Sequence, residues 1–291
     1  MPPVLIKINK FVDGASMDPI TLIGLLALGG SAGVLGAMFG LGGGFIFVPV
    51  LMLVFNLAPA EAAAVSLIGI IAGSVGASTV LVDKGLSNVR LGLLMEITTA
   101  AGAIIGAFVA TLLEEWIMMV IFSIIVFYSG VRMLLNPTRT VTEEDEVPDS
   151  PLTFEYQDDL MEKPERYRPA HMKSGMLMCT AAGMISSMTG VGGGAVKVPL
   201  MNIYMHVPIK AASATSSYMI GITAFSGAIA YFLGGQVILT FAACVALGAF
   251  LGSLVGARIN ARINARYLTR YFSILLFVVS ILVLLRAGGI L

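Results

Sequence analysis

Residues 40–49 read Gly40-Leu41-Gly42-Gly43-Gly44-Phe45-Ile46-Phe47-Val48-Pro49, and residues 190–199 read Gly190-Val191-Gly192-Gly193-Gly194-Ala195-Val196-Lys197-Val198-Pro199. From Gly42 to Gly192 the spacing is 150 residues, and it holds well beyond the glycines. Gly33 matches Gly183, Gly102 and Gly106 match Gly252 and Gly256, and Phe122-Ser123-Ile124 matches Phe272-Ser273-Ile274. A one-residue slip aligns Pro59-Ala60-Glu61-Ala62-Ala63 with Pro208-Ile209-Lys210-Ala211-Ala212. The chain is written twice.

The 291 residues are 57% hydrophobic and 12% charged, with a mean hydropathy of +0.94. A soluble domain carries about 25% charged residues, so this composition belongs to an integral membrane protein. Zero formal net charge argues against nucleic acid as a partner. Cys179 and Cys244 lie in apolar segments and read as packing residues; no disulfide framework, metal-ligand spacing or cofactor motif is present.

Three glycines in an apolar run weaken a helix, because each lacks a packing side chain and has more backbone freedom to lose. In lipid such a break is tolerated only where the backbone is buried in protein or lines a cavity. Matching breaks in two halves of a chain are the best pointer to a transporter's substrate site. A doubled Gly-x-Gly-Gly-Gly with Pro five residues later, in an apolar chain of this length, resembles the TauE/SafE family of membrane permeases, often called sulfite exporters. The resemblance covers about residues 20–286. It implies export or uptake of sulfite, organosulfonates or related small anions.

Spanning the hydrocarbon takes about 20 apolar residues in a helix. Pro19–Met38 has that length, and Phe45–Ala58 falls short of it. Ala62–Val82, Leu91–Leu113 and Trp116–Leu135 read as spans. The second half repeats the scheme with Ser174–Thr189, Ala195–Ile209, Ala211–Leu233, Gln236–Ala257 and Tyr267–Leu285. The expectation is an all-α integral membrane protein, an inverted-topology repeat of two five-segment halves with broken or short helices at the glycine motifs. Its parts are an interfacial stub (1–18), repeat 1 (19–135), an acidic connector (136–173), repeat 2 (174–286) and a tail (287–291). The apolar stub with Lys7 and Lys10 reads as interfacial rather than as a cleaved leader.

Orientation follows from charge. Arg258, Arg262, Arg266 and Arg270 lie between the last two spans of the second half, whereas the matching turn of the first half holds Glu114 and Glu115. Lys84 and Arg90 flank another turn whose mate, Gly234-Gly235, is uncharged. The two halves therefore face opposite ways in the cytoplasmic membrane, with the arginine turn and the connector cytoplasmic and both termini outside. The connector's ten acidic residues and five prolines from Asn136 to Lys173 cannot build a core. It reads as a solvated linker or as a lid anchored by Phe154, Tyr156 and Tyr167.

The site candidates centre on the breaks. Gly42, Gly43, Gly44 and Gly192, Gly193, Gly194 precede helices whose N-termini present N–H groups and partial positive charge to an anion. Close packing is the competing reading, and it is preferred for Gly102, Gly106, Gly252 and Gly256. Lys197 stands where the first half has Phe47; it reads either as the anion's counter-charge or as a snorkelling side chain. Asn202, Ser216 and the pair Ser66 and Thr215 could donate to a sulfonyl oxygen. Glu96 and His206 are candidates for proton coupling, while Glu61 reads as a helix cap. No nucleophile–base pair is present, so an enzyme is not expected. The reading is a secondary transporter of small sulfur-containing anions working by alternating access. A passive anion channel and a membrane scaffold are the alternatives, and a homodimer is a plausible assembly.

Overall fold

A computed structural model of the chain describes residues 18–109, 115–135, 153–156, 164–190 and 192–289. The stub with Lys7 and Lys10, Glu114, Val191 and the connector's acidic run around Glu143–Asp149 lie outside the described residues. Repeat 1 forms α1 (Pro19–Phe39), α2 (Gly44–Leu53), α3 (Pro59–Asp83), α4 (Val89–Val109) and α5 (Glu115–Leu135). Two short strands follow, β1 (Phe154–Tyr156) and β2 (Glu165–Tyr167). Repeat 2 forms α6 (Met172–Thr189), α7 (Gly194–Pro199, continued by a π turn at Leu200–Tyr204), α8 (Ile209–Leu233), α9 (Leu239–Arg262) and α10 (Ala265–Ala287).

The protein is an all-α membrane protein. Among the described residues, six helices are long and apolar enough to cross a membrane. At about 1.5 Å per residue, α1 reaches about 32 Å, the thickness of a hydrocarbon core. Side chains sort as a bilayer requires: Ile97 is 68% exposed while its neighbour Glu96 is 3% exposed. Apolar residues face outward and the polar ones lie between helices.

The close glycine contacts between the halves come in pairs, 150 residues apart. A Cβ on Gly252 would meet the carbonyl of Gly30, and one on Gly102 the carbonyl of Thr180. Gly256 abuts Val34 as Gly106 abuts Met184, and Gly33 abuts Ala249 as Gly183 abuts Thr99. These four glycines on α4 and α9 are packing residues that let backbones touch. α1 thus packs on α9 and α6 on α4, while α3 pairs with α8 and α5 with α10.

The same contacts give the helix directions. Gly29, Gly33 and Met38 of α1 meet Val245, Ala249 and Asn260 of α9 in rising order, as do Gly69, Gly73 and Gly76 of α3 with Val245, Ala249 and Ser253. α1, α3 and α9 run one way. α4 runs parallel to α6, with Gly102 and Gly106 against Thr180 and Met184, and to α8, with Gly92 and Glu96 against Thr215 and Thr223. α3 crosses α8 in the opposite sense, Ser74 bonding the Ser217 carbonyl while Leu67 lies beside Gly227. Helices equivalent by sequence therefore run in opposite directions.

The helices after the breaks begin at Gly44 and Gly194, one residue before the expected Phe45 and Ala195. Neither motif lets its helix continue across. Gly43 lies beside Ala32, and Phe55 lies under Gly24 and against Phe241, so α2 doubles back along α1. Met205 likewise returns to Gly175 near the start of α6. Each motif is the tip of a helical hairpin that leaves on the side it entered.

The structure keeps the 150-residue register where the sequence suggested a slip. α3 starts at Pro59 and α8 at Ile209, because Pro208 is the N-cap of α8 rather than its first helical residue. Proline suits both places, since its missing N–H has no intrahelical partner there. The mate of Ser66 is thus Ser216, and Thr215 matches Val65.

Candidate functional site

The two glycine tips touch. Gly192 lies 3.1 Å, measured from a built Cβ, from the Leu41 carbonyl, and Gly194 is pressed against Gly40, Leu41 and Ile220. Gly42 sits between Ile220 and Ile70, and Gly192 between Ile70 and Ile220, so both tips meet halfway along α3 and α8. Left-handed backbone is what turns the chain here: φ is 74° at Gly40 and 66° at Gly190, 78° at Gly42 and 81° at Gly192. A β-carbon is strained in that region, which is why glycine stands at these four positions. Gly43 and Gly193 differ, with φ of 83° and −66°.

Two hydroxyls pin the tips to the opposite half. Ser66 of α3 donates to the Gly190 carbonyl at 3.1 Å, and Ser216 of α8 donates to the Gly40 carbonyl at 2.8 Å. Both serines therefore hold the tips in place. Thr215 accepts instead from the Asn88 N–H at 2.9 Å. Asn202 donates to the Val207 carbonyl at 3.0 Å and fastens the turn after α7. His206 lies exposed in that turn at φ 56°, the counterpart of Asn56 at φ 52°, with its ring 6.4 Å from that of His171. His206 is remote from the tips. Glu61 accepts the Ala58 N–H at 3.2 Å, the capping role expected of it.

Lys197 does not snorkel. Its side chain is 0% exposed, with Cε packed over Gly193, and Nζ donates to Glu96 Oε2 at 3.1 Å and to Thr223 Oγ1 at 2.6 Å. The Thr223 hydroxyl in turn donates to Glu96 Oε1. Three elements supply this cluster: α4 gives Glu96, α8 gives Thr223 and the broken hairpin gives Lys197. The Cys179 thiol of α6 and Thr99 of α4 also face it. A desolvated ion pair persists only when its geometry is good and other hydrogen bonds support it, and here the Thr223 hydroxyl bonds both partners.

Thr223 was not anticipated, and its only sequence signal is a hydroxyl in the middle of an apolar span. Asn260, beside the arginines in the sequence, is 0% exposed and donates to the Met38 carbonyl at 2.6 Å and to Ser213 Oγ at 2.9 Å. It holds the end of α1 against α9 and α8. Lys210 is buried too, donating to the Ala261 carbonyl at 3.3 Å.

The described part of the connector docks rather than floats. β1 and β2 pair antiparallel, Tyr167 is 1% exposed beneath Phe154, and Asn88 donates to its phenol at 3.4 Å. Burial pushes the Tyr167 phenol well above its ordinary range, the Asn88 hydrogen bond opposing and the Glu165 charge adding.

Broken hairpins meeting between crossing helices, with a charged pair sealed beside them, define a multi-pass membrane protein built to handle a solute. A family model described as sulfite exporter TauE/SafE matches residues 25–283, so the chain belongs to the TauE/SafE family of membrane transporters. It is 27% identical over 234 residues to the probable membrane transporter protein YunE of Bacillus subtilis (strain 168), covering 77% of this chain and 83% of that one. It is 32% identical over 71 residues to sulfite exporter TauE/SafE family protein 5 of Arabidopsis thaliana, covering 24% and 16%. No solved structure matches.

Proposed function

We propose that the protein is a secondary transporter of small sulfur-containing anions, with one central site between the glycine tips and the Lys197 cluster. The observation that carries this reading is a fully buried lysine on a broken helix, next to the glycine tip. Intramembrane charges are rare and mark solute or ion pathways. The anion would meet the Lys197 ammonium, the Thr223 hydroxyl and the glycine backbone. α7 is only six residues long before its π turn, so its dipole is a weaker attraction than a ten-residue helix would offer, and Lys197 supplies the charge instead.

An inverted-topology repeat is supported by the opposite directions of the paired helices. Lys84, Arg90, Arg258, Arg262, Arg266 and Arg270 fall at one end of the bundle, together with the start of α6 after the connector. That end is cytoplasmic by the positive-inside rule, which puts the starts of α1 and the end of α10 outside. In this frame the two hairpins enter from opposite faces, and rocking of one against the other opens the centre to each side in turn.

The test is flux of radiolabelled sulfite into proteoliposomes, with sulfoacetate, taurine, thiosulfate and a plain carboxylate as competitors. Saturable flux blocked by sulfur oxyanions and not by the carboxylate is expected. Single-channel conductance would favour a passive channel, and no flux of any of these anions through folded protein would sink the reading.

A further inference from the structure

We propose that the anion and Glu96 compete for Lys197, so that one proton binds with each monoanion and the protein is an electroneutral proton–anion symporter. The inference rests on the reading of the Lys197 cluster as the anion site.

In the structure the cluster is closed on itself. Lys197 and Glu96 are 3.1 Å apart, 0% and 4% exposed at their side chains, and Thr223 bonds both. Its formal charge is zero. An ammonium has three N–H donors, and two of them are given to Glu96 and Thr223. A monoanion brought to Lys197 would stand beside the Glu96 carboxylate. Two like charges side by side in a partly polar site repel strongly, and desolvation adds to that.

One proton removes the conflict. Hydronium on the open side delivers it: one of its O–H bonds breaks, leaving water, as an O–H bond forms on the Glu96 carboxylate. The resulting carboxylic acid keeps its place beside Thr223 and releases Lys197 to the anion. The loaded site (ammonium, neutral acid, monoanion) and the empty site (ammonium, carboxylate) then carry the same net charge of zero. Both can cross the low-dielectric centre during reorientation, whereas the site with anion and no proton cannot.

Other ionisable groups do not obscure this. The pair is faced from α6 by Cys179, from α7 by Lys197 itself, from α8 by the hydroxyl of Thr223 and from its own helix by Thr99. The positions 150 residues from Lys197, Glu96 and Thr223 are Phe47, Ala246 and Gly73, so the device is present once per chain.

The test is calorimetric titration of the purified, full-length protein with methanesulfonate, whose own charge is constant across the working pH range. Sulfoacetate, thiosulfate and sulfite are titrated in parallel. Running each in two buffers of different ionisation enthalpy counts protons taken up per anion. The wild type is expected to take up about one proton per methanesulfonate, with affinity falling by up to about tenfold per unit of rising pH. Glu96→Gln is expected to bind with no proton uptake and no pH dependence. Should that variant fail to fold, the proton count on the wild type decides alone. In proteoliposomes an acidic exterior should drive uptake, and clamping the membrane potential should leave the rate unchanged. Binding without proton uptake, or potential-driven flux, overturns the coupling and leaves the anion site standing. Binding of none of the four anions by folded protein overturns the site and the coupling together.

Discussion

The clusters around Lys197 and Phe47 occupy equivalent places in the two halves, and they share a backbone but not a chemistry. Lys197 lays its stem over Gly193 as Phe47 lays its ring over Gly43, each about 3.1 Å from the glycine's built Cβ. Beyond that point they part. Lys197 reaches a carboxylate and a hydroxyl; Phe47 is packed against Gly69, and Ala246 and Gly73 stand at the other two positions. Duplication has supplied two hairpins that meet, one carrying an ion pair and the other an apolar plug. The comparison teaches that a returning hairpin does not require the charge, because the half without it also turns back at its glycine tip, although Gly43 and Gly193 differ in φ, 83° against −66°.

That independence can be broken most forcefully at Lys197. Lys197→Ala leaves Glu96 buried without its partner, and removing one member of a buried pair costs about 3–5 kcal/mol. A large fall in thermal midpoint is expected, together with loss of flux. The double variant Lys197→Met with Glu96→Leu removes both charges, as the Phe47 cluster has done, and should recover the midpoint while flux stays absent. A double variant no more stable than the single one would show that the pair holds the hairpin itself. Scintillation counting beside scanning fluorimetry separates the outcomes.

The next effect tests whether the halves are equivalent where their chemistry agrees. Gly252→Ala and Gly102→Ala each drive a methyl into a carbonyl oxygen across a helix interface, Gly30 in one case and Thr180 in the other. Overpacking of this kind costs about 1–3 kcal/mol. The two losses should agree to within about 0.5 kcal/mol, and a wider gap in the chemical-denaturation midpoints would mean that the α1–α9 and α6–α4 interfaces carry unequal loads.

What could be read in the sequence follows the range of the interactions involved. The breaks, the short returning helices and the pairing of repeats are written locally, in Gly-rich tips, Pro49 and Pro199, and segment lengths. The partner of Lys197 is not, because Glu96 lies 101 residues upstream in the other half, and only the crossing of α4, α7 and α8 brings the two together. The register of α3 and α8 misled for a physical reason: proline is tolerated at both the N-cap and the first helical position, so Pro59 and Pro208 invite an alignment that the helices do not follow. Asn260 is a further case: its neighbours in sequence are arginines, and only the packing of α1 on α9 brings it to the Met38 carbonyl.

That register makes the third prediction. If Ser66 and Ser216 are true mates, Ser66→Ala and Ser216→Ala should each leave a tip carbonyl unpaired and cost about 1–3 kcal/mol, by equal amounts. Thr215→Val removes a different bond, to the Asn88 N–H, and its effect should appear as faster hydrogen exchange at the start of α4 and not at the tips. Exchange rising at Gly40 in Thr215→Val would restore the slipped alignment.

The smallest effect concerns the connector, where the first half meets the second outside the bilayer. Tyr167 is buried with its phenol held above its ordinary value near 10, so the folded hairpin binds a proton that the undocked one releases. The docking stability is then fully present below about pH 10 and is lost as pH rises beyond it, by at most about 1.4 kcal/mol per unit. Tyr167→Phe keeps the ring against Phe154 and gives up the phenol's polar contacts, the long 3.4 Å hydrogen bond from Asn88 among them, so its cost at neutral pH should be about 1 kcal/mol. Above pH 10 the order should invert, with wild-type β1–β2 amides exchanging faster than those of the variant once both are corrected for intrinsic rates. Parallel pH curves for the two proteins would mean that Tyr167 titrates without undocking, and that the connector is joined to the bundle by groups other than this ring.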